Sequence, residues 1–136
     1  MLIANRNEIA VRIARTARLM GIEVFAAMAS DENENELLAR GVHGLLRLPG
    51  AGSGAYLDAD ALVALAVRHN CDAIHPGYGF LSESAVFARA CIAAGLKWIG
   101  PSPAHLEIFG EKIAARNLAI AQGVPVVEGS PVLGDA

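Results

Sequence analysis

The fold of this chain is decided by the stretch Ala73-Ile74-His75-Pro76-Gly77-Tyr78-Gly79-Phe80-Leu81-Ser82-Glu83. The apolar residues at its start predict a strand that ends near Ile74, and the helical periodicity after it predicts a helix that begins at Ser82. Between them, two glycines permit backbone angles that other residues rarely adopt. Such a crossing from strand to helix is a common anion or cofactor site in an open α/β sheet. A plain tight turn explains the same residues, and the local chemistry leaves both interpretations open.

The composition is that of a globular domain with an aliphatic core. Hydrophobic residues make up 54% of the 136 residues and charged residues 18%. The net charge of −3 disfavours a nucleic-acid partner held by a basic surface. No apolar run reaches the roughly 18–20 residues that span a bilayer, and the N-terminus lacks the layout of a secretory signal. We therefore expect no membrane contact and a cytoplasmic location.

The cysteines and histidines indicate neither a disulfide framework nor a metal centre. Cys71 and Cys91 lie far apart in the sequence, and two reduced, buried thiols are the expected state. The four histidines are scattered without ligand spacing. The sequence therefore predicts no metal site.

Outward from the central stretch, strand and helix patterns alternate at intervals of roughly 20–25 residues, which implies crossover connections and a parallel sheet. The sequence thus predicts a single α/β, doubly wound, three-layer domain whose ligands gather at the carboxyl ends of its strands. The predicted strands are residues 2–4, 22–28, 42–48, 72–74, 96–99 and 123–127.

Polar residues predict where several helices begin. Asn5 or Asn7 can cap the first helix, and Asp58 can cap the helix that follows the glycine-rich loop. Ser102 followed by Pro103 is a strong start signal for another helix.

Three further patterns are candidate functional signals. The glycine-rich loop at residues 49–54 lacks the Gly-Lys-Ser/Thr ending of a phosphate-binding loop. The acidic run at residues 30–36 follows the second strand, where an acid can contact a ribose, but helix capping and solvation explain it better. Arg12, Arg15 and Arg18 form an exposed row on the first helix. That row is either a solvated face or a subunit contact.

Four segments carry a resemblance to one enzyme family. Residues 2–12 resemble the opening motif of biotin carboxylases, and residues 73–83 resemble that family's second motif residue for residue. Residues 99–102 and 110–115 match the third and fourth motifs in order and spacing. The resemblance extends from residue 2 to about residue 130.

The resemblance implies a Rossmann-like fold, the pre-ATP-grasp domain, over residues 1–130, with residues 131–136 starting a linker toward an ATP-grasp region. Enzymes of this family use ATP, Mg²⁺ and bicarbonate to carboxylate biotin on a carrier protein. The expected partners are the ATP-grasp and C-terminal domains of the parent, the biotin carboxyl carrier protein and a second copy of the chain. The helix with Arg12 and Arg15 matches one that borders the homodimer interface.

Carried over by position, Lys112 matches the family lysine that reaches an ATP phosphate. Tyr78 and Gly79 match positions that border the biotin pocket, and Glu83 lies in the same motif, where it can also act as a helix-start acid. His75 fits the ordering of the turn better than the role of a general base. The resemblance places the catalytic residues and metal ligands in segments beyond this chain, so these 136 residues alone are expected to be inactive and to bind no cofactor tightly.

Two departures from the family pattern stand out. Asn7 replaces the usual glycine, although asparagine tolerates the left-handed region better than most residues. Residues 40–44 lack the usual acidic pair. The alternatives are the N-terminal domain of another ATP-grasp enzyme, such as carbamoyl-phosphate synthetase or glycinamide ribonucleotide synthetase, and a non-enzymatic α/β binding module.

Overall fold

The computed structural model describes residues 1–34 and 36–127, and it shows a five-stranded sheet in which every pairing is parallel. The order across the sheet is β3-β2-β1-β4-β5. This doubly wound order confirms the predicted fold class. The strands are β1 (Leu2–Ile3), β2 (Phe25–Met28), β3 (Gly44–Arg47), β4 (Ala73–His75) and β5 (Lys97–Trp98).

Six α-helices and one short 3₁₀ helix connect or follow these strands in the part of the chain that the structure describes. The 3₁₀ helix, Ser53–Leu57, lies between β3 and the third α-helix. The α-helices are α1 (Asn7–Leu19), α2 (Glu36–Gly41), α3 (Ala59–Arg68), α4 (Ala85–Ala93), α5 (Pro103–Gly110) and α6 (Lys112–Ala121).

The sheet is covered on both faces, which gives the three layers. Successive strand residues point to opposite sides, so Ile3 packs with the buried residues of α1 and α2 while Leu2 packs with those of α3 and α4. Phe87 and Cys91 of α4 are fully buried on the same side of the sheet as Leu2. Cys71 is also buried, and both thiols are free, as predicted.

The predicted helix caps are present where the capping side chain and the N–H donor that it accepts from are close in sequence. Asp58 accepts the N–H of Ala61 at 2.9 Å, and Ser102 accepts the N–H of His105 at 3.2 Å ahead of the helix that Pro103 begins. These bonds satisfy N–H groups that have no partner within the helix.

Two predicted boundaries are wrong. The helix after the central stretch begins at Ala85 and not at Ser82, because residues up to 83 form a turn and Ser84 accepts the N–H of Phe87 at 3.1 Å. Neither Asn5 nor Asn7 caps α1, whose N-cap residue is Arg6.

The predicted strand at residues 123–127 is also wrong. These residues follow α6 and bond back to it: Val124 donates its N–H to the carbonyl of Ala119 at 2.9 Å, and Arg116 donates to the carbonyl of Val127 at 3.2 Å. The β-branched residues suggested a strand, but the backbone groups find their partners in a helix.

Helices α5 and α6 lie outside the main layers. Arg89 of α4 and Glu107 of α5 form an ion pair at 2.7 Å, and Arg89 lowers the pKa of the Glu107 carboxyl. Helix α6 packs chiefly against α5 and contains no fully buried residue. Among residues 1–34 and 36–127, no helix is long and apolar enough to cross a membrane, and no group of His, Cys, Asp and Glu has metal-binding geometry.

Candidate functional site

The candidate site lies where the carboxyl ends of β1 and β4 meet. Leu2 pairs with Ile74 and Ile3 pairs with His75, so the residues that follow both strands emerge together. The chain crosses from β1 to β2 on one side and returns to β4 on the other. This is the topological switch point at which open α/β sheets bind ligands.

Asn5 ties the central loop to the sheet. Its side-chain amide donates to the carbonyls of Pro76 at 2.7 Å and Tyr78 at 2.8 Å, and its Oδ1 accepts the N–H of Arg6 at 2.9 Å. Asn5 is the one buried polar residue among the described residues, with 2% of its surface exposed. Every polar group of this side chain therefore fixes either the loop or the start of α1.

The loop needs glycine at Gly77. Its φ is +69°, and a Cβ there would lie 2.6 Å from Nδ2 of Asn5. At Gly79 φ is +64°, yet a Cβ would meet no atom within 4 Å. Only the first glycine is enclosed, whereas the second leaves its backbone open to a ligand.

Two backbone donors of the loop are free. Among the described residues, the N–H groups of Tyr78 and Gly79 have no acceptor, and both residues are exposed. Tyr78 exposes 57% of its surface. Together with Asn5 and Arg6, these residues line a groove of about 340 Å³. The structure thus offers open donors beside a concave surface.

Arg6 links the central loop to Glu32, which follows β2. Its Nη1 donates to Oε1 of Glu32 at 2.5 Å, and its guanidinium carbon lies 5.5 Å from the ring centre of Tyr56 and 5.6 Å from that of Phe80. The two rings stack at 5.0 Å. A guanidinium over aromatic faces gains cation–π attraction as well as its ion pair.

Glu32 and Tyr56 complete this cluster. The Tyr56 hydroxyl donates to Oε2 of Glu32 at 2.7 Å and accepts the N–H of Ala29 at 3.3 Å. Burial, and then the hydrogen bond to Glu32, raise the pKa of Tyr56 far above its usual value. A second cavity of about 310 Å³ lies beside the cluster and shares Arg6 and Asn7 with the groove.

The raised pKa of Tyr56 predicts a stability loss at alkaline pH. Above about pH 10 tyrosine ionises in the unfolded chain but stays protonated in the folded one, so the unfolded state binds fewer protons and the free energy of unfolding falls. The slope reaches about 1.4 kcal/mol per pH unit. The free energy of unfolding is measured by urea unfolding between neutral pH and about pH 11, one unit above the ordinary tyrosine pKa. It should decline less in Tyr56→Phe than in wild type. Tyr78→Phe, which leaves the buried hydroxyl in place, should decline like wild type, and equal declines in all three proteins would contradict the assignment.

The remaining predicted site residues have different surroundings. His75 accepts the N–H of Gly77 at Nδ1 over 3.0 Å, and burial lowers the pKa of its imidazole. Its role in ordering the turn is confirmed. Glu83 is exposed and does not cap α4, because Ser84 does. Asn7 has φ +56°, the left-handed conformation expected of a residue that replaces glycine.

Lys112 does not lie at the groove beside Tyr78 and Gly79. It is the first residue of α6, it is exposed, and it lines neither the 340 Å³ groove nor the 310 Å³ cavity. Glu111 caps the helix by accepting the N–H groups of Ile113 at 3.0 Å and Ala114 at 2.6 Å. No ion pair of Lys112 is present in the described part of the chain.

The acids Asp31, Glu34 and Glu36 are exposed, and Glu36 lies in the first turn of α2, but the interpretation is wrong for Glu32, which is neither a helix cap nor solvated. It is a partly buried partner of Arg6 and Tyr56. The partners lie 26 and 24 residues away, so no local pattern could reveal them. For Asn5 and Arg6 a signal did exist, since both directly follow a strand that leads to the ligand-binding edge.

Comparison with known proteins identifies the family to which this chain belongs. Residues 1–106 match the family described as the biotin carboxylase N-terminal domain. Biotin carboxylase of Halalkalibacterium halodurans is 44% identical over 132 residues, which is 97% of this chain and 29% of that protein. The mitochondrial methylcrotonoyl-CoA carboxylase subunit alpha of Oryza sativa subsp. japonica is 47% identical over 95% of this chain and 18% of that protein.

A solved structure supports the same assignment. The biotin carboxylase domain of a single-chain bacterial carboxylase superposes with a TM-score of 0.89 at 47% identity, covering 95% of this chain and 30% of that chain. This chain therefore belongs to the biotin carboxylase N-terminal domain family. It spans less than a third of the length of these relatives.

Proposed function

We propose that this chain is the N-terminal domain of an ATP-dependent biotin carboxylase and forms one wall of its active site. The observation that carries the proposal is the Tyr78–Gly79 loop. At the switch point of the sheet it has two N–H donors that have no acceptor among the described residues, and the Asn5 side chain binds two of its carbonyls. The parent would activate bicarbonate with ATP and transfer the carboxyl group to biotin on a carrier protein.

The groove beside Tyr78 and Gly79 fits the ureido end of biotin. A ureido carbonyl accepts hydrogen bonds, and the free N–H groups of the loop are donors. Nothing lies within 4 Å of the position that a Cβ on Gly79 would occupy, so a ligand can approach the backbone closely. These residues would bind and orient the biotin ring, whose nitrogen accepts the carboxyl group.

Lys112 would bind an ATP phosphate from the edge of this domain. A lysine at the start of a helix lies against the positive end of the helix dipole, and here it has no ion pair among the described residues. A polyphosphate supplies the missing countercharge. The metal ligands and the general base would come from other segments of the parent, as would the ATP-grasp fold. Residues 1–130 are proposed as this domain, and the proposed linker at 131–136 lies outside the described residues.

We also propose an oligomeric state and a compartment for the parent protein. Exposed Arg12 and Arg15 of α1 support a homodimer contact at that helix. The buried, free cysteines suit a reducing compartment such as the cytoplasm. The 136 residues alone are expected to show no carboxylase activity.

A domain swap tests the proposed function. The segment of the Halalkalibacterium halodurans enzyme that aligns with this chain over 132 residues is replaced by this chain, and ATP cleavage that depends on biotin and bicarbonate is measured. The chimera is expected to be active, because the loop and Lys112 restore the wall that was removed. A folded chimera without activity, while the unmodified host is active, would contradict the proposal.

A further inference from the structure

Glu32 does not line the groove beside the Tyr78–Gly79 loop, yet it is connected to that loop through other side chains. Its Oε1 accepts a hydrogen bond from Arg6 at 2.5 Å, and its Oε2 accepts one from the Tyr56 hydroxyl at 2.7 Å. Arg6 and Tyr56 both contact the ring of Phe80, which directly follows the loop. One carboxylate therefore fixes both side chains that contact this ring.

Phe80 has a backbone conformation that a residue with a Cβ disfavours. Its φ is +43°, in the left-handed region where the Cβ crowds the backbone. A residue keeps such a conformation only where its surroundings hold it. Here the ring stacks on Tyr56 at 5.0 Å and lies 5.6 Å from the guanidinium carbon of Arg6. These contacts of the ring are what hold the backbone of Phe80.

The loop is thus attached on both sides. On one side, Asn5 donates to the carbonyls of Pro76 and Tyr78. On the other side, the ring of Phe80 is held by its two neighbours. The N–H groups of Tyr78 and Gly79 lie between these attachments, so their direction depends on both.

We propose that Glu32 is a positioning residue for biotin. By holding Arg6 and Tyr56 against Phe80, it keeps the two N–H donors of the loop in place beside the groove, and it does not contact the ligand itself. Among the described residues, Glu32 is the only ion-pair partner of Arg6, so loss of the carboxylate releases the guanidinium. This inference rests on the proposed function of the loop as a wall of the biotin site.

Kinetics of Glu32→Ala in the chimera test the role. KM for free biotin is expected to rise about tenfold, because displaced donors no longer bind the ligand, and KM for ATP should stay unchanged. A change that only reduced the amount of folded enzyme would lower kcat and leave both KM values as they are. Glu32→Gln keeps one acceptor and one donor for the two partners and should raise KM for biotin by only about threefold. This milder variant carries the test if Glu32→Ala does not fold.

Glu34→Ala is the matched control. It removes the same charge from an exposed acid two residues away, and it should leave both KM values unchanged. Backbone amide relaxation of the chain alone, measured by NMR, gives a second result that does not depend on carboxylase activity. The order parameters of the Tyr78 and Gly79 amides should fall from about 0.85 to below about 0.6 in Glu32→Ala and stay high in Glu34→Ala.

The positioning role has clear contrary results. Unchanged KM for biotin in both Glu32 variants would overturn it, as would equal effects of Glu32→Ala and Glu34→Ala. Unchanged order parameters of the loop in Glu32→Ala would overturn it as well. An inactive chimera with the unsubstituted chain would instead contradict the proposed function, and the order parameters would still decide whether Glu32 holds the loop.

Discussion

Replacing Lys112 with alanine in the chimera is expected to lower kcat/KM for biotin-dependent ATP cleavage about 100-fold. The lysine would bind a phosphate through a charge-assisted hydrogen bond, and losing such a bond to a charged group costs about 3 kcal/mol. Lys112 is exposed and the cap of α6 is made by Glu111, so the change should leave the fold intact. Steady-state kinetics at varied ATP concentration measure the effect.

Two further variants control for charge and for helix α6 itself. Lys112→Arg retains a cation at the same position and should recover part of the activity. Arg116→Ala removes a cation one turn further along α6, where the guanidinium donates to the carbonyl of Val127, and it should have little effect on the kinetics. Unchanged kinetics in Lys112→Ala, or an equal loss in Arg116→Ala, would contradict the phosphate-binding role.

The Gly77→Ala variant is expected to lose about 3 kcal/mol of unfolding free energy. Alanine at φ +69° is strained by about 1–2 kcal/mol, and its Cβ would lie 2.6 Å from Nδ2 of Asn5. Asn5 is buried and holds two loop carbonyls, so moving it leaves polar groups unpaired at a further cost of about 1–3 kcal/mol. Urea unfolding of the chain followed by circular dichroism measures the loss.

Gly79→Ala separates strain from collision. Its φ of +64° is nearly the same, but its Cβ would meet nothing within 4 Å. The expected loss is therefore about 1 kcal/mol, the backbone strain alone. If the two variants lost equal stability, Asn5 would not support the loop in the way that the structure indicates.

Features of the fold that depend on neighbouring residues could be predicted from the sequence. Asp58 and Ser102 cap helices through acceptors three residues from their donors, and such short-range bonds leave a local signature. The alternation of strands and helices fixed the parallel sheet because parallel neighbours require crossovers. Residues 123–127 show the limit of this reasoning: β-branched composition favours a strand, yet these residues bond back to α6 and pair with no strand.

The support of the candidate site could not be predicted, because its contacts join distant parts of the chain. Asn5 looked like a helix cap, but its amide bonds to carbonyls 71 and 73 residues away. Glu32 looked solvated, but Arg6 and Tyr56, which lie 26 and 24 residues away in sequence, contact it in the folded structure. The loop residues Tyr78 and Gly79 were identified by family resemblance, and their exposure and free donors became visible only in three dimensions.

The most direct test of the central proposal is transfer of label from radioactive bicarbonate to free biotin by the chimera. ATP cleavage alone could be uncoupled, whereas labelled carboxybiotin forms only if the loop orients biotin beside the activated carboxyl group. The proposal predicts ATP-dependent carboxybiotin formation at a rate comparable to that of the unmodified host. A folded chimera that cleaves ATP but forms no labelled carboxybiotin would contradict the role of the Tyr78–Gly79 loop as a wall of the biotin site.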